Sequence, residues 1–128
     1  MRDGIDERGL EAELEAFYKR GGAAALPFAS IIKSGPNSLW PWRILATHND
    51  RRNRTMKNGE LVIFDVGCEL HGYVSDTGRT FPVSGRFTSD QRAILEMEVR
   101  VSDAIIAAMR PGVTLGDVQR VAEKAIPD

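Results

Sequence analysis

Two aspartates, Asp65 and Asp76, lie eleven positions apart, and their type and spacing suggest chemistry more clearly than any other residues here. Asp65 stands near the end of an apolar run, Leu61 to Val66, that is typical of a buried strand. A second strand-like run, from Gly72 to Val83, follows at once. If the two runs form a hairpin that turns about Glu69 to Gly72, we expect Asp65 to lie opposite Asp76, with Cβ atoms about 4.5 to 5.5 Å apart.

Two facing carboxylates repel each other unless a positive charge lies between them. A divalent cation that takes oxygen ligands from both acids is the simplest arrangement that stabilises the pair. Thr77, Arg79 and Thr80 follow Asp76 and are candidates for orienting its carboxylate. Capping of a turn is the plainer interpretation of Asp65 alone, but the second acid makes a metal site the better one. A structural calcium site is an alternative, but the spacing does not fit an EF-hand loop, whose acids occupy alternate positions.

Three other kinds of residue could take part in chemistry. His48 lies seventeen residues before Asp65, and a histidine in such an irregular segment is by itself more often a surface or turn residue, as is His71. The lone Cys68 is interpreted as a small buried apolar side chain. The segment Trp40-Pro41-Trp42 could form the rigid wall of a substrate pocket or a loop held against the core, and both interpretations stay open.

The rest of the chain predicts the elements that position these residues, from helical periodicity, turn residues and capping signals. They are a helix over about 6–20, a strand over 28–32, a turn over 34–37, the hairpin over 61–83, and a helix that the capping box Thr88-Ser89-Asp90-Gln91 begins and Pro111-Gly112 ends. A small basic cluster before the hairpin is interpreted as a solvated loop. Its members are Arg51, Arg52, Arg54 and Lys57.

The opening of the chain is partly repeated 108 residues later, where Met1-Arg2-Asp3-Gly4-Ile5 corresponds to Met109-Arg110-Pro111-Gly112-Val113. Asp6 and Thr114 are expected to be equivalent helix N-caps. Apolar stripes match at the same offset: Leu10, Leu14, Phe17 and Tyr18 against Val118, Ala122, Ala125 and Ile126. The match predicts a duplicated unit, with chance similarity between amphipathic helices as the alternative.

Length and composition limit the functional classes. The 128 residues, 42% of them hydrophobic, suffice for about one small domain. A net charge of −1 argues against a general nucleic-acid binder or a binder of anionic membranes. The charged N-terminus and the lack of a long apolar run predict a cytoplasmic protein without a membrane span. A single cysteine fits a reducing compartment. Whether the protein forms a homo-oligomer stays open.

The residues around the two acids form one long motif. They are Asp65-Val66-Gly67-Cys68-Glu69, Gly72-Tyr73, Ser75-Asp76-Thr77-Gly78-Arg79-Thr80-Phe81-Pro82-Val83-Ser84-Gly85-Arg86-Phe87-Thr88 and Gln91-Arg92. This motif resembles the Xaa-Pro aminopeptidase and prolidase branch of the M24 metallopeptidases. Ser34-Gly35 with Asn37 resembles the family's turn ahead of its active-site histidine, and His48 falls where that histidine should stand.

The resemblance implies an α+β pita-bread fold, in which two pseudo-repeated halves enclose a dinuclear metal centre. Residues 1–128 would then be a partial catalytic domain, the first half plus the opening helix of the second. The resemblance makes Asp65 and Asp76 metal ligands and His48 a catalytic residue. It implies two divalent ions, manganese, cobalt or zinc, and a proline-containing peptide substrate. One histidine and two glutamates that complete the family's site would lie beyond Asp128, so we expect the chain alone to be inactive.

Two departures from the family pattern concern the substrate pocket. The segment between Asn37 and His48 is longer than in typical relatives, and Asn49 replaces the usual aromatic residue. The main alternative to an exopeptidase is a non-catalytic pita-bread module that binds peptides or proteins. A metal-free creatinase-like enzyme is another. Retention of both acids argues against each, and the motif after Asp76 resembles the proline-specific branch more than methionine aminopeptidase.

Overall fold

The computed structural model describes residues 3–39 and 53–127. They belong to two compact units, Met1–Arg86 and Phe87–Asp128, and each unit is considered by itself. The predicted residues Trp40, Pro41, Trp42 and His48 lie outside the described part of the chain. No helix among the described residues is long and apolar enough to cross a membrane.

The first helix, α1, spans Glu7–Arg20 and confirms the predicted helix. Asp6 is its N-cap, and its side chain accepts a 2.9 Å hydrogen bond from the backbone N–H of Gly9. This bond satisfies one of the free N–H groups at the start of the helix. At the other end, the N–H of Gly21 donates to the carbonyl oxygen of Phe17.

Among residues 3–39 and 53–127, five short strands follow α1, and three of them form one antiparallel sheet. The strands are β1 Ile31–Ser34, β2 Leu61–Val66, β3 Glu69–Leu70, β4 Tyr73–Val74 and β5 Thr77–Pro82. The sheet has the order β1-β2-β5, and β3 pairs separately with β4. A 3-10 helix, Gly35–Leu39, occupies the predicted turn after β1. The predicted strand over 28–32 is shifted, because the bounds of β1 follow its pairing with β2, from Ile31 opposite Asp65 to Ser34 opposite Val62.

The core of the first unit lies where α1 covers the sheet. Its buried side chains are Ile32, Met56, Val62, Val66 and Val83. Ile5, Leu10, Leu14 and Phe64 are partly buried and pack against them. Because successive side chains of a strand point to opposite faces, Asp65 of β2 points away from the face that carries Phe64 and Val66.

The hairpin is present, but its predicted register is wrong by two residues. Asp65 pairs with Gly78 rather than with Asp76. Leu70 pairs with Tyr73, which leaves a two-residue loop of His71 and Gly72, with φ angles of 52° and 80°. Positive φ at both loop positions is typical of a type I′ turn, and this turn fixes the register of both strands. Since side chains alternate with a period of two, a shift of two residues keeps Asp76 on the same face as Asp65.

The second unit contains two helices, α2 Ser89–Ala108 and α3 Leu115–Ala125. Thr88 caps α2 in the predicted capping box with Gln91, and Thr114 caps α3 in the same way with Asp117. The helix α2 ends before Pro111, as predicted. No side chain within either helix is buried.

The two turns that precede α1 and α3 have nearly the same backbone conformation. Gly4 has φ of 87° and Gly112 has φ of 91°. The N-caps Asp6 and Thr114 have φ and ψ of −90° and 158°, and of −91° and 160°. The 108-residue offset therefore relates two turns that are alike in backbone conformation as well as in sequence. Duplication of the whole unit stays a prediction.

Candidate metal centre

The two predicted acids lie where the long hairpin changes from one strand pair to the next. Asp65 is the second-last residue of β2, and Asp76 directly precedes β5. Asp65 is half-buried and Asp76 is exposed. The residue opposite Asp65 on β5 is Gly78, which has no side chain that could separate the two carboxyl groups.

The pKa of Asp65 is raised by burial and by the neighbouring acid Asp76. Burial raises this pKa above its usual value of 3.8, and the negative charge of Asp76 and a hydrogen bond with the Asp76 carboxyl raise it further. Each cause disfavours the ionised carboxylate of Asp65. The register places both acids on one face of the hairpin, and Asp76 is close enough to Asp65 to affect its pKa, but the predicted position of the two acids directly opposite each other is wrong.

A pair of carboxyl groups that shares a hydrogen bond also has the donor set for a divalent cation. When both are ionised they present up to four oxygen atoms on one face, and oxygen is the ligand that manganese, magnesium and calcium prefer. A cation with two charges would remove the repulsion by Asp76, which adds to the effect of burial on the pKa of Asp65. The pair thus has the oxygen ligands and the mutual repulsion that a shared cation would balance.

The pair alone does not complete a metal site. Among residues 3–39 and 53–127, no group of three or more His, Cys, Asp or Glu side chains is arranged to hold a metal ion. His71 is exposed at the tip of the type I′ turn, which confirms its interpretation as a turn residue. Cys68 is half-buried, and its Sγ lies 3.9 Å from the hydroxyl of Ser75.

One of the three residues proposed to orient Asp76 is directed elsewhere. The guanidinium of Arg79 donates a 2.6 Å hydrogen bond to the carbonyl oxygen of Gly78, its neighbour in β5. Thr77 is exposed and Thr80 is half-buried, and both lie on β5, opposite Val66 and Ile63 of β2. The polar contacts that shape this part of the hairpin come instead from Ser75, the residue before Asp76.

A buried carboxylate that sequence analysis missed lies at the start of α1. Glu7 has no exposed surface, and its Oε1 accepts hydrogen bonds from the backbone N–H of Ser34 at 2.7 Å and from the Ser34 hydroxyl at 2.9 Å. Its Oε2 accepts a bond from the amide of Asn37 at 2.9 Å and lies 3.6 Å from Nζ of Lys33. Glu7 therefore holds the end of β1 and the following 3-10 helix against α1.

Arg54 extends this network to the start of β2. Its guanidinium forms two hydrogen bonds with the Glu60 carboxylate, at 2.6 and 2.8 Å, and a third with the carbonyl oxygen of Ser34 at 3.1 Å. The hydrogen bond from Arg54 is the main reason that the pKa of Glu60 is lowered below 4.5. The interpretation of Arg54 as part of a solvated basic cluster is wrong, because its guanidinium ties β1 to β2.

Comparison with known proteins gives the family. A sequence model of metallopeptidase family M24 matches residues 1–128. The Xaa-Pro dipeptidase of Homo sapiens is 37% identical over 126 residues, which cover 97% of this chain and 25% of that protein. The Xaa-Pro aminopeptidase of Escherichia coli (strain K12) is 34% identical over 124 residues, covering 94% of this chain and 27% of that protein.

Solved structures agree. The aminopeptidase PepP of Pseudomonas aeruginosa superposes with a TM-score of 0.81 at 34% identity, over 98% of this chain and 27% of that one. Zinc-substituted aminopeptidase P of Escherichia coli, in complex with product, gives 0.81 at 32% identity, over 97% and 27%. The chain spans about a quarter of the length of the relatives it matches. The α+β pita-bread fold predicted from the sequence is confirmed, and the chain belongs to metallopeptidase family M24.

Proposed function

We propose that the protein is a metal-dependent exopeptidase that cleaves peptide bonds next to proline, and that Asp65 and Asp76 are two of its metal ligands. The observation that carries this proposal is the placement of both acids on one face of the hairpin, Asp65 near the end of β2 and Asp76 directly before β5. The relatives support the substrate class, because Xaa-Pro dipeptidases and Xaa-Pro aminopeptidases are among those matched over nearly the whole chain.

The two acids would hold the cations and His48 would act on the substrate. Divalent cations in such a site supply a Lewis acid and lower the pKa of a bound water toward about 7. Asp65 and Asp76 would chelate or bridge these cations through their oxygen atoms. His48 would hold the peptide or pass a proton to the departing amine, since an imidazole can both donate and accept a proton. The cofactors are proposed to be two ions of manganese, cobalt or zinc.

Further ligands are required. Tight transition-metal sites use three or more protein ligands per ion with an organised surrounding shell, and two carboxylates cannot supply this for two ions. We therefore propose that residues 1–128 are part of a catalytic domain whose remaining ligands come from outside the described residues. A purified chain of these 128 residues should show little or no peptidase activity with added manganese. Efficient release of an N-terminal residue from an Xaa-Pro peptide by this chain would contradict the ligand count.

The main test uses the full-length protein and an Xaa-Pro peptide with manganese. Asp65→Asn and Asp76→Asn keep the size of the side chain but remove its charge, and each should lower kcat/KM and bound manganese by at least about 100-fold. Asp103→Asn is the matched control, because Asp103 is an exposed aspartate in α2. It should keep wild-type activity.

The same experiment separates an enzyme from a binding module. A non-catalytic protein would bind the peptide without hydrolysing it. Its peptide affinity would not depend on a metal, so neither substitution would change that affinity. Full activity in either Asp65→Asn or Asp76→Asn would remove the proposed metal site.

A further inference from the structure

The hairpin is irregular directly between the two acids. The regular pairs end with Val66 opposite Thr77 and resume with Glu69 opposite Val74, so that four residues between them belong to no strand. These residues are Gly67, Cys68, Ser75 and Asp76. Asp76 thus lies in an irregular part of the hairpin, where contacts other than regular strand pairing determine its position.

The hydroxyl of Ser75 replaces a backbone carbonyl group as the hydrogen-bond acceptor for the N–H of Cys68. In a regular antiparallel pair, Cys68 and Ser75 would exchange two bonds between their N–H and carbonyl groups. One of the two is present, from the N–H of Ser75 to the carbonyl oxygen of Cys68, at 3.0 Å. The N–H of Cys68 instead donates a hydrogen bond to the Ser75 hydroxyl at 3.1 Å. The same hydroxyl donates a hydrogen bond to the carbonyl oxygen of Cys68 at 3.3 Å.

The carbonyl oxygen of Ser75 lies against Gly67. A methyl group on the α-carbon of Gly67 would lie 2.0 Å from the Ser75 carbonyl oxygen and 3.0 Å from its carbon. Gly67 is also buried against the ring of Phe28, whose Cε1 would be 3.2 Å from such a methyl group. No side chain fits at position 67 unless the peptide that joins Ser75 to Asp76 moves away.

The orientation of this peptide affects the site because it carries Asp76. Two carboxylates share a cation only if an oxygen of each lies about 2.0 to 2.6 Å from the metal. Misplacement of a functional group by about 1 Å is enough to weaken such a site strongly. A methyl group at Gly67 requires a movement of this size, since non-bonded atoms rarely approach within 3.0 Å.

We propose that Ser75 and Gly67 position Asp76 for cation binding. The Ser75 hydroxyl accepts the hydrogen bond of the Cys68 N–H, and Gly67 leaves room for the carbonyl oxygen of Ser75. Ser75 is thus a positioning residue, since it acts through Asp76 and need not touch the metal. The inference rests on the proposed metal site and adds the device that sets its geometry.

The test measures the manganese affinity of the full-length protein from the electron paramagnetic resonance signal of free Mn²⁺. Ser75→Ala should weaken binding about 10-fold, which is the lower range for residues that orient ligands. Ser75→Thr keeps a hydroxyl group and should stay within about twofold of the wild type. Ser102→Ala is the matched control, because Ser102 is an exposed serine in α2, and it should leave the affinity unchanged.

A double substitution separates positioning from general stability. In an Asp76→Asn background, Ser75→Ala should cause no further loss of affinity, because the group that it positions is already absent. An equal loss in both backgrounds would overturn the proposal, and so would wild-type affinity in Ser75→Ala. Gly67→Ala should weaken binding more than Ser75→Ala, and if this variant does not fold, the Ser75 variants decide.

Failure of this inference can be told from failure of the proposed function. If Asp65→Asn abolishes manganese binding but Ser75→Ala does not weaken it, the metal site stands and the positioning role is wrong. If the wild-type protein binds no manganese, or Asp65→Asn binds it normally, both are wrong.

Discussion

The buried carboxylate of Glu7 provides a sharp test of how the first unit is held together. Replacement by alanine removes the acceptor for the backbone N–H and the hydroxyl of Ser34 and for the amide of Asn37. A buried polar group left without a partner costs about 1 to 3 kcal/mol. Removal of one member of a buried charged network costs about 3 to 5 kcal/mol. We therefore expect Glu7→Ala to lower the free energy of unfolding of this unit by about 3 to 5 kcal/mol.

Glu7→Gln is a milder change with the same shape. Its carbonyl oxygen can still accept from the N–H of Ser34, but its amide nitrogen would face the amide of Asn37 and the ammonium of Lys33, which are also donors. We expect a loss of about 1 to 3 kcal/mol, between that of alanine and none. Glu13→Gln, an exposed position on α1, is the control and should change stability by less than about 0.5 kcal/mol.

Urea unfolding measures these losses, followed by the NMR signal of the Val62 amide, because Val62 is fully buried in the same unit. A loss below about 1 kcal/mol for Glu7→Ala would refute the reasoning, because three hydrogen bonds to a buried charge could not then be worth their usual amount. A large loss for Glu13→Gln would equally refute it, since the effect would then belong to the helix rather than to the buried carboxylate.

Three further predictions concern the pH response, a helix cap and the hairpin turn. The lowered pKa of Glu60 contributes stability that is complete above its ordinary pKa of 4.5 and is lost as the pH falls through the lower folded value. Arg54→Met should therefore reduce the loss of unfolding free energy between pH 6 and about pH 3, as measured by urea unfolding. Thr88→Ala should destabilise α2 by about 1 kcal/mol in thermal unfolding, and no loss would contradict the capping role. Gly72→Val should lower stability by at least about 1 kcal/mol, because φ of 80° disfavours a branched side chain, and an unchanged midpoint in urea would contradict the type I′ turn.

The elements with local signals were predictable from the sequence. Asp6, Thr88 and Thr114 are N-caps as expected, because a cap depends on a side chain and an N–H two or three residues later. The common face of Asp65 and Asp76 was also predictable, because any even shift in register keeps both acids on one face of the hairpin.

Features that depend on distant residues were not predictable in the same way. The register depends on the turn, and here His71 adopts a positive φ that is more often taken by glycine or asparagine. An acid in the first turn of a helix is expected from the helix dipole, so the position of Glu7 does not indicate burial. Its burial depends on Ser34 and Asn37, which lie 27 and 30 residues further along the chain. The prediction for His48 lies outside the described residues and stays a prediction.

The most direct measurement of the proposed metal site is anomalous X-ray scattering from crystals of the full-length protein that contain manganese. The proposal predicts a manganese peak about 2.0 to 2.6 Å from at least one carboxylate oxygen of Asp65 and one of Asp76. A manganese ion that binds to only one of these residues, or at a site remote from both, would contradict it.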